Sequence, residues 1–136
     1  MQKLNLEDRV ALTRVIVELL DSWGVKAADQ VSLLALPEGT RPGAMRQFRQ
    51  SKPFPEDARV MERIEHLVGI ADALRTSYPH NARMGSIWMN KVNHRFDNRT
   101  PLAAMIEDGL GGIIAVRTHL DCAYDWHISG SVGSSR

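Results

Sequence analysis

Between residues 5 and 23 the apolar positions Leu12, Val15, Ile16, Leu19 and Trp23 return at intervals of three and four, with polar residues between them. That spacing predicts an amphipathic helix. Asn5 can cap its start, Glu7 and Asp8 place negative charge in the first turn, and Gly24 is a stop signal. A shorter helix is predicted over 26–35, with Val31 and Leu34 inward. Pro37-Glu38-Gly39 breaks the pattern, and a third helix then begins, with Thr40 as its cap and Pro42 in its first turn. In this helix Met45 and Phe48 form the apolar side, leaving Arg41, Arg46, Gln47, Arg49 and Gln50 outward.

The segment 51–55, Ser-Lys-Pro-Phe-Pro, ends that helix. The longest helix is expected from Glu56 to Thr76, its stripe formed by Val60, Ile64, Leu67, Ala71 and Leu74. Tyr78, Pro79, His80 and Asn81 close it and mark a domain boundary. Three shorter helices follow, over 82–91, 100–108 and 110–124, the second capped by Thr100 with Pro101 in its first turn. Gly109, Gly111 and Gly112 cluster at a helix start, where small residues allow a sharp entry or close packing. The end of the chain, 129–136, is rich in glycine and serine and reads as a flexible tail. The only β-branched cluster, Ile113-Ile114 and Val116, has helical flanks. The expected fold is all-α.

Composition adds little until it is resolved along the chain. Hydrophobic residues make up 43%, charged residues 24%, and the net charge is +1 over 136 residues, ordinary values for one globular domain or two small ones. No apolar run reaches the roughly 20 residues of a membrane span, and the first residues lack the apolar stretch of a secretory signal. The protein is expected in the cytoplasm. Locally, however, the charged residues between Gly39 and Pro55 are Arg41, Arg46, Arg49 and Lys52, with no acid among them. A short helix, a turn and a basic, glutamine-bearing helix are the parts of a helix-turn-helix, whose second helix enters the major groove. Arginine and glutamine suit that place because they bond bidentately to guanine and adenine edges. Thr40, Arg41, Arg46, Gln47, Arg49, Gln50 and Lys52 are therefore the candidate DNA-binding residues. A solvated basic face is the plain alternative.

Two groups of residues carry a resemblance to a known family. Leu19-Leu20-Asp21-Ser22-Trp23-Gly24-Val25, Leu33-Leu34 and the run from Arg63 to Leu74 resemble the Xre-like helix-turn-helix domain of antitoxins. Ile87-Trp88-Met89, Asn93, Phe96, Thr100-Pro101-Leu102, Asp108-Gly109 and the run from Val116 to Asp121 resemble the toxin-binding domain of the MbcA, ParS and Xre antitoxins. Both stand in the family's order and together span most of the chain. The chain departs from the pattern in places. Ala35 stands where the family has glycine after the Leu-Leu pair, Asp97-Asn98-Arg99 replaces a glycine-rich step, and Val92-Asn93 replaces Pro-Asn.

The resemblance implies a helix-turn-helix domain over 1–79, a small helical toxin-binding domain over 80–128 and a tail over 129–136. It further implies a type II antitoxin that covers the active site of a NAD-degrading RES-domain toxin. Such a protein also represses its own promoter, as a homodimer and in higher hetero-oligomers with the toxin. Trp88, Asn93, Arg117, Trp126, His127, Ser134, Ser135 and Arg136 are the toxin-binding candidates, the last three as the group able to enter a pocket. A stand-alone transcriptional regulator with no toxin, and an interaction module that no longer contacts DNA, remain as alternatives.

Other residues point to no chemistry. The five histidines are scattered without a ligand motif. Ser22 lacks a nucleophile elbow, Cys122 lacks basic neighbours, and the Gly109–Gly112 cluster lacks the strand and the lysine of a phosphate loop. No catalytic residue, metal site or cofactor is expected.

Overall fold

The computed structural model describes the backbone of residues 5–131 and the side chains of residues 5–122. The fold is all-α. Its helices are α1 (Leu6–Ser22), α2 (Ala27–Leu33), α3 (Met45–Gln50), α4 (Ala58–Ser77), α5 (Arg83–Met89), α6 (Pro101–Asp108) and α7 (Leu110–Ser131). Single 3-10 turns, Pro42–Ala44 and His94–Phe96, precede α3 and α6. Asn93 and Arg99 form an isolated antiparallel bridge around the second turn, and the described residues contain no named strand. Among them no helix is long and apolar enough to cross a membrane.

Local signals set most helix ends. The Asn5 carboxamide oxygen accepts from the Asp8 amide at 2.8 Å, and the Thr100 hydroxyl accepts from the Ala103 amide at 2.9 Å. Thr40 behaves otherwise than expected. Its hydroxyl turns back to the Pro37 carbonyl at 2.7 Å and closes the preceding turn, so the helical segment begins after Arg41 with no side-chain cap. At its far end α7 runs on to Ser131, which makes the first residues of the expected tail helical.

α1 and α2 end in the same way. The Val25 amide bonds the Leu20 carbonyl and Gly24 bonds Asp21; the Leu36 amide bonds Val31 and Ala35 bonds Ser32. Both are Schellman motifs, which need a left-handed residue after the cap. Gly24 supplies it with φ 83°, and Ala35 with φ 52°. Asp97 and Asn98 take the same left-handed conformation, φ 59° and 61°. After glycine, aspartate and asparagine tolerate it best.

The chain divides into two compact units, one up to Glu65 and one from His66. The division falls inside α4, whereas the sequence places a boundary after that helix. In the first unit the core holds Ile16, Val17, Leu20 and Trp23 of α1 and its end, Leu33 and Leu34, Met45 and Phe48 of α3, Phe54, and Val60 and Ile64 of α4. α1 lies against α3. The buried face of α1 is rotated from the expected stripe: Val15 is 57% exposed, while Thr13 is buried. Thr13 satisfies its hydroxyl twice, donating to the Arg9 carbonyl at 2.8 Å and accepting from the Phe54 amide at 2.9 Å.

In the second unit Leu67, Ile70 and Leu74 of α4 are buried, as are Met89, Phe96, Leu102, Met105, Ile113, Val116 and Leu120. α6 and α7 meet closely around Gly112, where an added Cβ would stand 2.2 Å from the Ala104 carbonyl oxygen. The glycine cluster is thus a packing device at Gly112 and a turn at Gly109, whose φ is 65°.

Candidate functional site

In the first unit the short basic helix α3 is placed by its neighbours on two sides. Met45 and Phe48 are buried beneath it, and the Phe48 and Phe54 rings meet at 4.9 Å between centroids. From α1, Arg14 donates to the Gln50 carbonyl through Nε at 2.8 Å and through Nη2. A cation there also suits the negative end of the α3 dipole. Seven residues further along α1, Asp21 receives Arg49 of α3. Arg49 Nε donates to Oδ2 and Nη2 to Oδ1, each at 2.9 Å, in a bidentate pair. Gln30 of α2 joins them: its Nε2 donates to Asp21 Oδ1 at 2.7 Å and to the Val25 carbonyl at 3.0 Å. Gln30 is fully buried, and its Oε1 has no partner. One carboxylate thus ties α1, α2 and α3 together. The Arg49 guanidinium holds the Asp21 carboxyl below its usual pKa despite partial burial, with Gln30 helping, and Asp21 raises that of Arg49.

Of the DNA-binding candidates, Arg41, Arg46, Gln47, Gln50 and Lys52 are exposed around α3. Lys52 sets its Nζ 5.5 Å from the Phe48 ring centroid. Thr40 is half-buried in its turn. Arg49 is exposed as well, but its guanidinium is paired with Asp21. Sequence reasoning missed Arg14, Asp21 and Gln30 as parts of the site, because their partners lie far along the chain.

The second unit gathers a different set. Trp88 stacks on His119, with centroids 6.0 Å apart and planes inclined by 11°, and Phe96 sets its edge to both rings at 6.3 and 5.6 Å. A surface cleft of about 240 Å³ opens beside Trp88, lined also by Lys91, Val92, Asn93 and His94. Trp88 and Asn93 are thereby brought together. Asn93 has a structural task as well: its side chain accepts from the Arg95 amide at 2.9 Å and caps the turn His94–Phe96. Burial pushes the His119 pKa down, and the positive charge of Arg95 adds to the effect. Phe96 and His119 belong to the family-like motifs, which is the signal that could have added them to the candidates.

Arg117 faces another way. Residues two apart on a helix do not share a face, and Arg117 turns from the His119 side to α4. There its Nη1 meets His66 Nδ1 at 3.1 Å, and it approaches Gly69 so closely that a Cβ would stand 2.5 Å from Arg117 Nε. The backbone of Trp126 and His127 is helical, but their side chains lie outside the described residues, as do Ser134, Ser135 and Arg136 altogether.

The loop before α6 is held by Arg99. Its guanidinium bonds Asp108 at 2.9 and 3.1 Å and Glu107 at 3.1 Å, and its Nε donates to the Phe96 carbonyl at 3.0 Å. Arg99 lowers the Asp108 pKa. Compared with protein-family profiles and with curated proteins, the chain matches none.

Proposed function

We propose that the protein is an antitoxin of a type II system. Its first unit binds operator DNA as a helix-turn-helix, and its second unit binds and blocks a RES-domain toxin that destroys NAD. The observation that carries this reading lies at the departures from the family's pattern. Where the family has a glycine and a glycine-rich step, this chain has Ala35 and Asp97-Asn98-Arg99, and of these Ala35, Asp97 and Asn98 take positive φ. Left-handed backbone at an alanine costs roughly 1–2 kcal/mol. Its presence at the glycine positions is what a common backbone would require.

The exposed, basic, glutamine-bearing side of α3 supports the DNA half of the proposal, and the cleft beside Trp88 supports the toxin half. The protein would act in the cytoplasm as a homodimer and in larger assemblies with its toxin. Trp126, His127 and the residues 134–136 belong to the same proposal as further toxin contacts. The test is co-expression with the product of the neighbouring reading frame. The expected outcome is restored growth and NAD level, lost on Trp88→Ala, together with a salt-sensitive shift of the upstream DNA by the antitoxin alone. A neighbour that leaves NAD unchanged would overturn the antitoxin half and leave a stand-alone regulator.

A further inference from the structure

We infer that Arg49 is a positioning residue, held away from DNA by Asp21, and that the base-reading edge of α3 consists of Arg46, Gln50 and Gln47. The inference rests on the DNA half of the proposed function and adds which side chains read the duplex.

The helix geometry carries it. Successive residues turn by about 100° around the axis. With Met45 as origin, Phe48 lies about 60° to one side of it and Arg49 about 40° to the other. Met45 and Phe48 are buried, and Arg49, between them and the outer residues, is exposed but turned to Asp21, so these three share the arc on the α1 side. Arg46, Gln50 and Gln47 follow at about 100°, 140° and 200°, a continuous outer arc, and all three are exposed. Rotation about the axis would have to break the Arg14 contact to the Gln50 carbonyl, the bidentate pair, or both.

Exposure of the pair does not weaken the geometric point. A surface ion pair contributes little to stability on its own. This one is bidentate and shares its carboxylate with the buried Gln30, so it fixes an angle rather than supplying much energy. The chemistry of the outer arc then names the target. Arg46 matches guanine O6 and N7, and Gln47 and Gln50 match adenine N6 and N7. The ligand is duplex DNA read through a guanine and neighbouring adenines in the major groove.

Asp21→Asn is the discriminating variant. It keeps an oxygen for Gln30, removes a negative charge and breaks the bidentate pair. The probe is a duplex carrying the sequence upstream of the protein's own coding region, with a shuffled duplex of equal length as control. Binding is titrated at several salt concentrations, and far-UV circular dichroism and melting are followed on each variant. If Arg49 positions the helix, Asp21→Asn weakens specific binding by about tenfold, the scale of one charged hydrogen bond. The shuffled duplex is bound no worse. If Arg49 were a DNA contact restrained by Asp21, the same variant would bind more tightly and with a steeper salt slope, which overturns the inference.

The exchange Asp21→Arg with Arg49→Asp supplies the rescue. It should recover specific binding to within about threefold of the original with an unchanged salt slope, whereas Arg46→Ala should lower the slope by about one. A folded exchange variant that remains as weak as Arg49→Asp alone, with a slope lowered by about one, places Arg49 on a phosphate and overturns the inference. Should the exchange variant not fold, the sign of the Asp21→Asn effect decides. Failure of the underlying reading looks different: the unsubstituted protein would bind both duplexes equally weakly, and the assignment of the edge would fall with it.

Discussion

Ala35 and Gly24 occupy equivalent places in two Schellman motifs and differ by one methyl group. At Gly24 nothing lies within 4 Å of an added Cβ, so Gly24→Ala tests backbone strain without steric overlap. Gly24→Ala is expected to cost about 1 kcal/mol, and Ala35→Gly to return about 0.5–1 kcal/mol, because the released strain exceeds the added entropy of the unfolded chain. Thermal melts should move a few degrees in opposite directions. Equal shifts of one sign would contradict the account. His119 makes a second prediction at this scale. Its folded pKa is lowered, so the unfolded chain binds the proton more readily, and stability rises with pH across that interval. The contribution is complete above the unfolded value of about 6.5 and is lost as pH falls toward the folded one. His119→Phe keeps a ring against Trp88 and removes the titration. The drop in melting temperature between pH 7.5 and pH 5 should therefore be smaller in His119→Phe than in the parent protein.

Helices show how far periodicity reaches. α1 is apolar at Leu12, Val15 and Leu19 as well as at Ile16, Val17 and Leu20, so its pattern admits two stripes. The buried stripe includes Thr13, a polar residue whose two hydrogen bonds reach Arg9 within the helix and Phe54 beyond it. Only the second of these depends on a distant segment, and no local pattern announces it. α4 is clearer by comparison: Val60, Ile64, Leu67 and Leu74 are buried as their spacing predicts, while Ala71 is only half-buried and Ile70 is buried beside them. The contact of α6 with α7 is the tightest test of packing. In Gly112→Ala the new methyl would meet a backbone carbonyl rather than a flexible side chain, so the helices must separate. A loss of about 2–3 kcal/mol is expected in chemical denaturation. Gly111→Ala, with open space around it, should be nearly neutral or slightly stabilising.

The whole molecule turns on α4, which contributes to both units. Its second half buries Leu67, Ile70 and Leu74, and Leu74 lies 3.5 Å from the Cβ that Gly85 lacks. Deleting those three side chains removes on the order of 5 kcal/mol of burial, comparable to the entire stability of a small domain. A fragment starting at Asn81 is therefore expected to show little helix and no cooperative melt. One starting at Ala58 should melt cooperatively. A folded fragment from Asn81 would restore the boundary that the sequence suggests.

The sequence by itself determined the all-α fold, most helix ends and the concentration of positive charge on α3, because capping, periodicity and charge runs act within a few residues. It also named Trp88 and Asn93 as candidates, and the structure sets both at one cleft. Tertiary structure decided what depends on distance through space. It chose the inward face of α1, turned Arg117 toward His66, stacked His119 on Trp88, and paired the outward Arg49 with Asp21. The physical reason is common to the last three. An arginine or histidine carries the same donors in any sequence context, and only the partner that the fold brings near decides whether they are free to bind anything else.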